Sequence, residues 1–207
     1  MSLPTTTARQ EQANTLTHAI GFLLSIIGVP FLLWSTRGEV SAAVWTGLWV
    51  FSATLLLVYL VSSLYHYVEE PRLKFMLRKA DHISIYMLIA GTHTPLLLHY
   101  MPGSWYLIII WSMAGAGLIY KLFFFGKWEW LSVTFYLVMG WMGVLTIPVM
   151  MEQMPLGTLH GIVWGGVSYT VGVVFYAWQK LPYHHAVWHV FVMGGSTGHF
   201  LGIWAMA

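Results

Sequence analysis

The fold class this sequence predicts is an all-α integral membrane protein with seven transmembrane helices, and three observations predict it. Of 207 residues, 58% are hydrophobic and only 8% are charged, against about 25% charged in an ordinary soluble domain. Aromatic side chains make up 16%, with 12 Trp and 11 Tyr; these favour the headgroup level of a bilayer, where an apolar ring and a polar edge are both accommodated. The apolar residues also fall into seven runs, each near the roughly 20 residues that a helix needs to cross the hydrocarbon core.

The runs are expected at residues 17–35, 43–65, 82–98, 105–125, 131–150, 159–178 and 186–206. The first follows a polar stretch and is not followed by a small-residue cleavage site, so it reads as a membrane helix and not a signal peptide. No lipidation motif is evident. The second begins after Arg37-Gly38-Glu39, and the third after the charged run 69–79, which reads as a solvated loop. Met101-Pro102-Gly103, residues 126–130, residues 151–157 and Lys180-Leu181-Pro182 supply the remaining breaks. Pro95 and Pro148 are expected to kink the third and fifth helices. Gly165-Gly166 and Gly194-Gly195 are expected to permit close helix packing. Seven spans with short links read as one transmembrane domain, 1–207.

Lys and Arg set the orientation, because they are retained on the cytoplasmic side. With the N-terminus cytoplasmic, Arg9, Arg72, Lys74, Arg78, Lys79, Lys121, Lys127 and Lys180 all lie at that side and only Arg37 lies outside. The C-terminus is then outside, and the protein is expected in the plasma or inner membrane as a multi-pass chain. A formal net charge of +2, with no basic patch, argues against nucleic acid as a partner and leaves membrane lipids. The chain has no Cys, so a metal would have to be held by His, Asp, Glu or water.

Depth then groups the polar residues. His66 closes the second run, Asp81 precedes the third, and His185 and His189 open the seventh, so an even number of crossings puts all four on one side of the membrane. His185 and His189 are four apart and share a helix face, a spacing at which two imidazoles can share one ion. Three histidines leave a fourth tetrahedral position for water, the arrangement of a catalytic zinc. Asp81 can then orient that water and take its proton, and Ser62, one turn before His66, can support either. The bland alternative is a hydrogen-bonded polar knot that joins helices without metal. Glu11, Asn14 and His18 lie on one helix face beside this group; capping of the helix and shaping of the site are equally good readings for them.

These residues carry a family resemblance. Ser62-Ser-Leu-Tyr-His66, Asp81-His82 leading through Tyr86 to Ala90-Gly91-Thr-His-Thr94-Pro95, and His185-x3-His189 followed by His199 resemble the haemolysin III branch of the progestin and adipoQ receptor family. Glu11-x2-Asn14-x3-His18-x2-Gly21 is similar to that family's first motif, and the likeness covers nearly the whole chain. The resemblance implies seven transmembrane helices, a cytoplasmic N-terminus and a zinc near the cytoplasmic side. His66, His185 and His189 would be its ligands, with Asp81 on the zinc water and Ser62 nearby. His93 departs from the pattern, standing where the family usually has an aromatic residue, most often Tyr.

Two functions of different class follow. One is a zinc-dependent hydrolase of a lipid amide or ester, supported by analogy with the alkaline ceramidases, whose Ser-x3-His, Asp, His-x3-His pattern is similar. The other is a non-enzymatic membrane receptor or regulator whose zinc is structural. A haemolysin-type pore or ion transporter is the weakest reading, because the acidic residues sit at helix ends and form no relay through the bilayer.

Overall fold

A computed structural model describes residues 6–146, 148 and 151–207. Among the described residues the chain forms seven α-helices and one short 3-10 turn, with no strand. The helices are α1 (Ala8–Ser35), α2 (Ala42–Tyr67), α3 (Pro71–Tyr100), α4 (Tyr106–Phe123), α5 (Glu129–Trp141), α6 (Leu156–Ala177) and α7 (His184–Met206). The protein is an all-α, multi-pass membrane protein: α1, α2, α4 and α6 are each long and apolar enough to cross a bilayer. In α3 and α7 the same length is present, but the charged opening turns of α3 and the histidines of both dilute the hydropathy.

Two helices begin well before their apolar runs, each for a capping reason. Thr7 and Gln10 form a reciprocal capping box at the head of α1, in which each side chain accepts from the other's backbone N–H. Glu11 and Asn14 therefore stand on the helix. The run 69–79 is not a solvated loop. Glu70 accepts from the backbone N–H groups of Arg72 and Leu73, Pro71 occupies the first turn, and the helix runs unbroken from there. A side-chain acceptor followed by proline satisfies the exposed amides of a helix start, so charge here marks an interfacial first turn.

The fifth span also departs from expectation. α5 stops at Trp141 and passes into a 3-10 turn, Met142–Leu145. Gly140 and Gly143 weaken the helix there, and Pro148 lacks an amide and crowds the carbonyl four residues earlier. Ile147, Val149 and Met150, the remainder of that expected span, lie outside the described residues.

The helices form a ring in which α1 touches α2 and α7, α3 joins α2 to α4 and α5, and α6 links α5 to α7. The outer surface is apolar: Trp34, Ile27, Ile108 and Leu156 are all at least 70% exposed. The interior instead holds buried Asn14, His18, Ser62, His66 and His189 beside the apolar core. Such a distribution suits lipid as the solvent. The closest packing is between α6 and α7. A Cβ added at Gly161 would come within 2.6 Å of Gly198 O and Gly202 Cα, so backbone meets backbone there. Gly165 and Gly195 lie in the same seam, whereas Gly166 meets nothing and faces the ring's interior.

Candidate metal centre

The last turn of α2 delivers His66, and the first two turns of α7 deliver His185 and His189. One ring nitrogen from each lies within 4.8 Å of the others. Ring centroids are 5.0 Å apart for His66 and His185, 5.1 Å for His66 and His189, and 4.6 Å for His185 and His189. His66 and His189 are 5% and 1% exposed. Three buried or half-buried imidazoles need polar partners, and hydrogen bonds engage only one nitrogen each of His66 and His189.

The partners present fix the tautomers. His66 Nδ1 lies 3.0 Å from Glu11 Oε2; a carboxylate only accepts, so Nδ1 carries the proton. Asn14 Nδ2 stands further off, at 3.5 Å from the same nitrogen. His189 Nδ1 donates to the backbone carbonyl of Asn14 at 3.1 Å and lies 3.0 Å from Thr17 Oγ1. In the neutral form of either ring the lone pair is then on Nε2, and His66 Nε2 is buried with no hydrogen-bond partner. An imidazole whose Nδ1–H is held by a carboxylate or carbonyl is the usual support for a metal-binding Nε2. The residues fit a metal ion on that ground. Three imidazoles and no thiolate form a donor set that suits zinc, copper, nickel or iron.

A lysine completes the support. Lys74, on the early part of α3, donates to Glu11 Oε2 at 3.1 Å and to the carbonyls of Tyr65, His66 and Val68 at 3.1, 3.4 and 3.1 Å. It closes the end of α2 and holds the carboxylate that holds His66. Sequence reasoning missed Lys74 because its segment was read as loop; the Glu70-Pro71 start signal was the clue that placed it on a helix. Thr17 was missed as well, being one hydroxyl among many on α1.

The remaining expected residues surround the triad without joining it. His18 stacks on His189 at 3.5 Å with planes 17° apart, meets the edge of Tyr59, and has both ring nitrogens buried and unpartnered. Asp81 and Ser62 line a cavity of about 210 Å³ together with His18, His185 and His189. Ser62 makes no hydrogen bond of ordinary geometry, although it lies close enough to act on the Asp81 carboxylate. His184 turns aside and meets the Phe175 carbonyl at 3.3 Å. Chemically, the arrangement offers a cation site at one end of a largely apolar chamber, with a carboxylate and a hydroxyl beside it.

Comparison with known proteins agrees with this architecture. The family model described as haemolysin-III related matches residues 6–200. The chain is 40% identical to a Bacillus subtilis protein named Hemolysin-3 homolog over 197 residues, 94% of this chain and 92% of the relative. It is 37% identical to Hemolysin-3 of Bacillus cereus over 206 residues, 97% and 93% of the two chains. It is also 28% identical to the human Monocyte to macrophage differentiation factor over 212 residues, 96% and 84% of the two chains. With the match running from the head of α1 through His199 of α7, the chain belongs to the haemolysin-III related family.

Proposed function

We propose that this protein is a zinc-dependent hydrolase that cleaves an amide or ester bond of a membrane lipid at the cytoplasmic leaflet, its N-terminus cytoplasmic and Ala207 outside. The observation that carries the reading is the convergence of His66, His185 and His189, with a buried unpartnered Nε2 on His66, at the end of an apolar cavity that also holds Asp81. The three histidines would hold the ion. When bound, zinc supplies a Lewis acid that polarises a carbonyl and lowers the pKa of a water towards about 7.

The chain's own residues do the rest. Asp81 takes the proton of the attacking water as the new C–O bond forms. It returns that proton to the departing amine or alcohol as the scissile bond breaks, and so ends ionised as it began. Ser62, whose buried hydroxyl has no hydrogen-bond partner of its own, would turn it to the Asp81 carboxylate and fix its direction. Glu11, Asn14 and Thr17 keep the imidazoles turned towards the site, and the apolar wall receives the lipid chain and excludes water.

The test has two parts. Elemental mass spectrometry of detergent-purified protein is expected to find about one zinc per chain, lost in His66→Ala and His185→Ala. Incubation with a panel of ceramides and acyl lipids is expected to release fatty acid, with Asp81→Asn keeping its zinc and losing about 10²- to 10⁴-fold in rate. A zinc-loaded wild type that turns over no lipid in the panel, with Asp81→Asn leaving the cellular phenotype intact, overturns the proposal.

One feature favours a second reading, a receptor or regulator whose metal is structural. α2 and α7 have little direct packing against each other, so an ion between His66 and the α7 histidines would tie them. On that reading His189→Ala lowers the melting temperature while Asp81→Asn leaves zinc, fold and function untouched.

A further inference from the structure

The cavity that meets the histidine triad runs on along α3 and α7 to a second pair of histidines, His93 and His199, which line it together with Thr92 and Thr146. Asp81 and His93 are twelve residues apart on one helix, about 18 Å at the rise of an α-helix. His189 and His199, ten apart on α7, give a similar depth of about 15 Å. The far pair therefore sits deep in the outer half of the bundle.

His93 is poised differently from the triad. Its Nδ1 lies 2.8 Å from the carbonyl of Ile89 on its own helix, so Nδ1 carries the proton. The neutral ring presents Nε2 as an acceptor. That nitrogen faces the chamber on the side of Gly143, whose missing side chain leaves it uncovered; a Cβ there would stand 3.4 Å away. His199 is placed differently, with its ring against Gly165 and Tyr169. The walls between the two ends are apolar, with Ile85, Leu88, Ile89, Leu96 and Val192 among them. An acceptor at the bottom of an apolar shaft stabilises only a ligand that brings a donor to that depth.

We propose that His93 Nε2 is a recognition point for a hydroxyl group at the far end of a bound lipid chain, so that the protein selects chains hydroxylated near their terminus over plain ones. This rests on the reading of the cavity as the seat of a lipid chain. No covalent step is involved; the chain hydroxyl donates to Nε2 and the polar head stays at the triad.

The test is binding of palmitate, ω-hydroxypalmitate and α-hydroxypalmitate to the purified, metal-loaded full chain, read by displacement of a fluorescent fatty acid. Wild type is expected to bind the ω-hydroxy chain about five- to tenfold tighter than palmitate, with no gain for the α-hydroxy chain. His93→Phe keeps an aromatic ring without the acceptor and is expected to lose the preference while retaining metal and palmitate binding. His93→Gln, which restores an acceptor, is expected to recover part of it. Equal affinity of wild type for palmitate and the ω-hydroxy chain, or a preference that survives in His93→Phe, overturns the proposal and leaves the lipid reading standing. Failure of wild type to bind any of the three chains overturns both.

Discussion

Two polar clusters in this bundle are built from the same three residue types, and only one of them is a candidate metal centre. In the first, Glu11 Oε2 lies 3.0 Å from His66 Nδ1 and 3.1 Å from Lys74 Nζ. In the second, between α3, α4 and α5, Glu129 Oε2 lies 2.9 Å from Lys121 Nζ and 3.9 Å from His82 Nδ1. Each is a carboxylate shared by a lysine and an imidazole at the same end of the helices. The difference lies on the far side of the imidazole. His66 looks towards His185 and His189. His82 meets the edge of Phe125, a buried ring that Arg78, Lys79 and Lys121 also surround at 5.3 to 5.7 Å. A carboxylate and a lysine beside a histidine thus make a structural knot by default, and convergence of further imidazoles turns that knot into a cation site.

Substitutions can break this contrast from either side. The largest effect is expected from His189→Ala, which removes a donor and should drop bound metal from about one per chain to near zero; His82→Ala, assayed alongside, should leave metal content unchanged. Metal loss in His82→Ala would show that the two clusters are not separate. Next in size is Glu11→Gln, which weakens the grip on His66 Nδ1 and should cost about 10- to 100-fold in metal affinity by competition with a chelator. Glu129→Gln should cost none, and lower the melting temperature instead.

A stability effect of middle size is expected in the α6–α7 seam. Gly165→Ala drives a methyl group into the His199 ring and should destabilise by about 1–3 kcal/mol, measured by thermal unfolding in detergent. The smallest is Glu70→Ala, which removes the cap of α3 and should cost about 1 kcal/mol. It should also loosen Lys74 enough to register as a slight fall in metal affinity, without which the link from cap to site fails.

Much of this was legible in the sequence, and the gaps have physical causes. Composition and run length were enough for the class, because a bilayer demands long apolar helices whatever the residues in detail. Span counting put His66, Asp81, His185 and His189 at one end, since parity needs no knowledge of packing. Hydropathy could not say where α1 and α3 start, because interfacial turns are charged like loops; the Thr7…Gln10 and Glu70-Pro71 signals lie outside any apolar run. The end of α5 was hidden for the converse reason, the residues 142–150 being apolar whether or not they are helical. The stacking of His18 on His189 and the direction of each Nδ1 depend on contacts between α1, α2 and α7, and helix periodicity within one segment carries no such information.

The backbone contact of α6 with α7 has a mechanical consequence for the site. Helices separated by a layer of flexible side chains can slide while that layer rearranges, but Gly161 against Gly198 and Gly202 leaves no such cushion. A push on α6 reaches α7 without slack, and with it the backbone that carries His185 and His189. The pair behaves as one stiff board in the wall of the ring. Compliance is left to the adjoining wall, where α5 gives way to the 3-10 turn Met142–Leu145 beside His93, so the chamber yields at the end away from the metal triad.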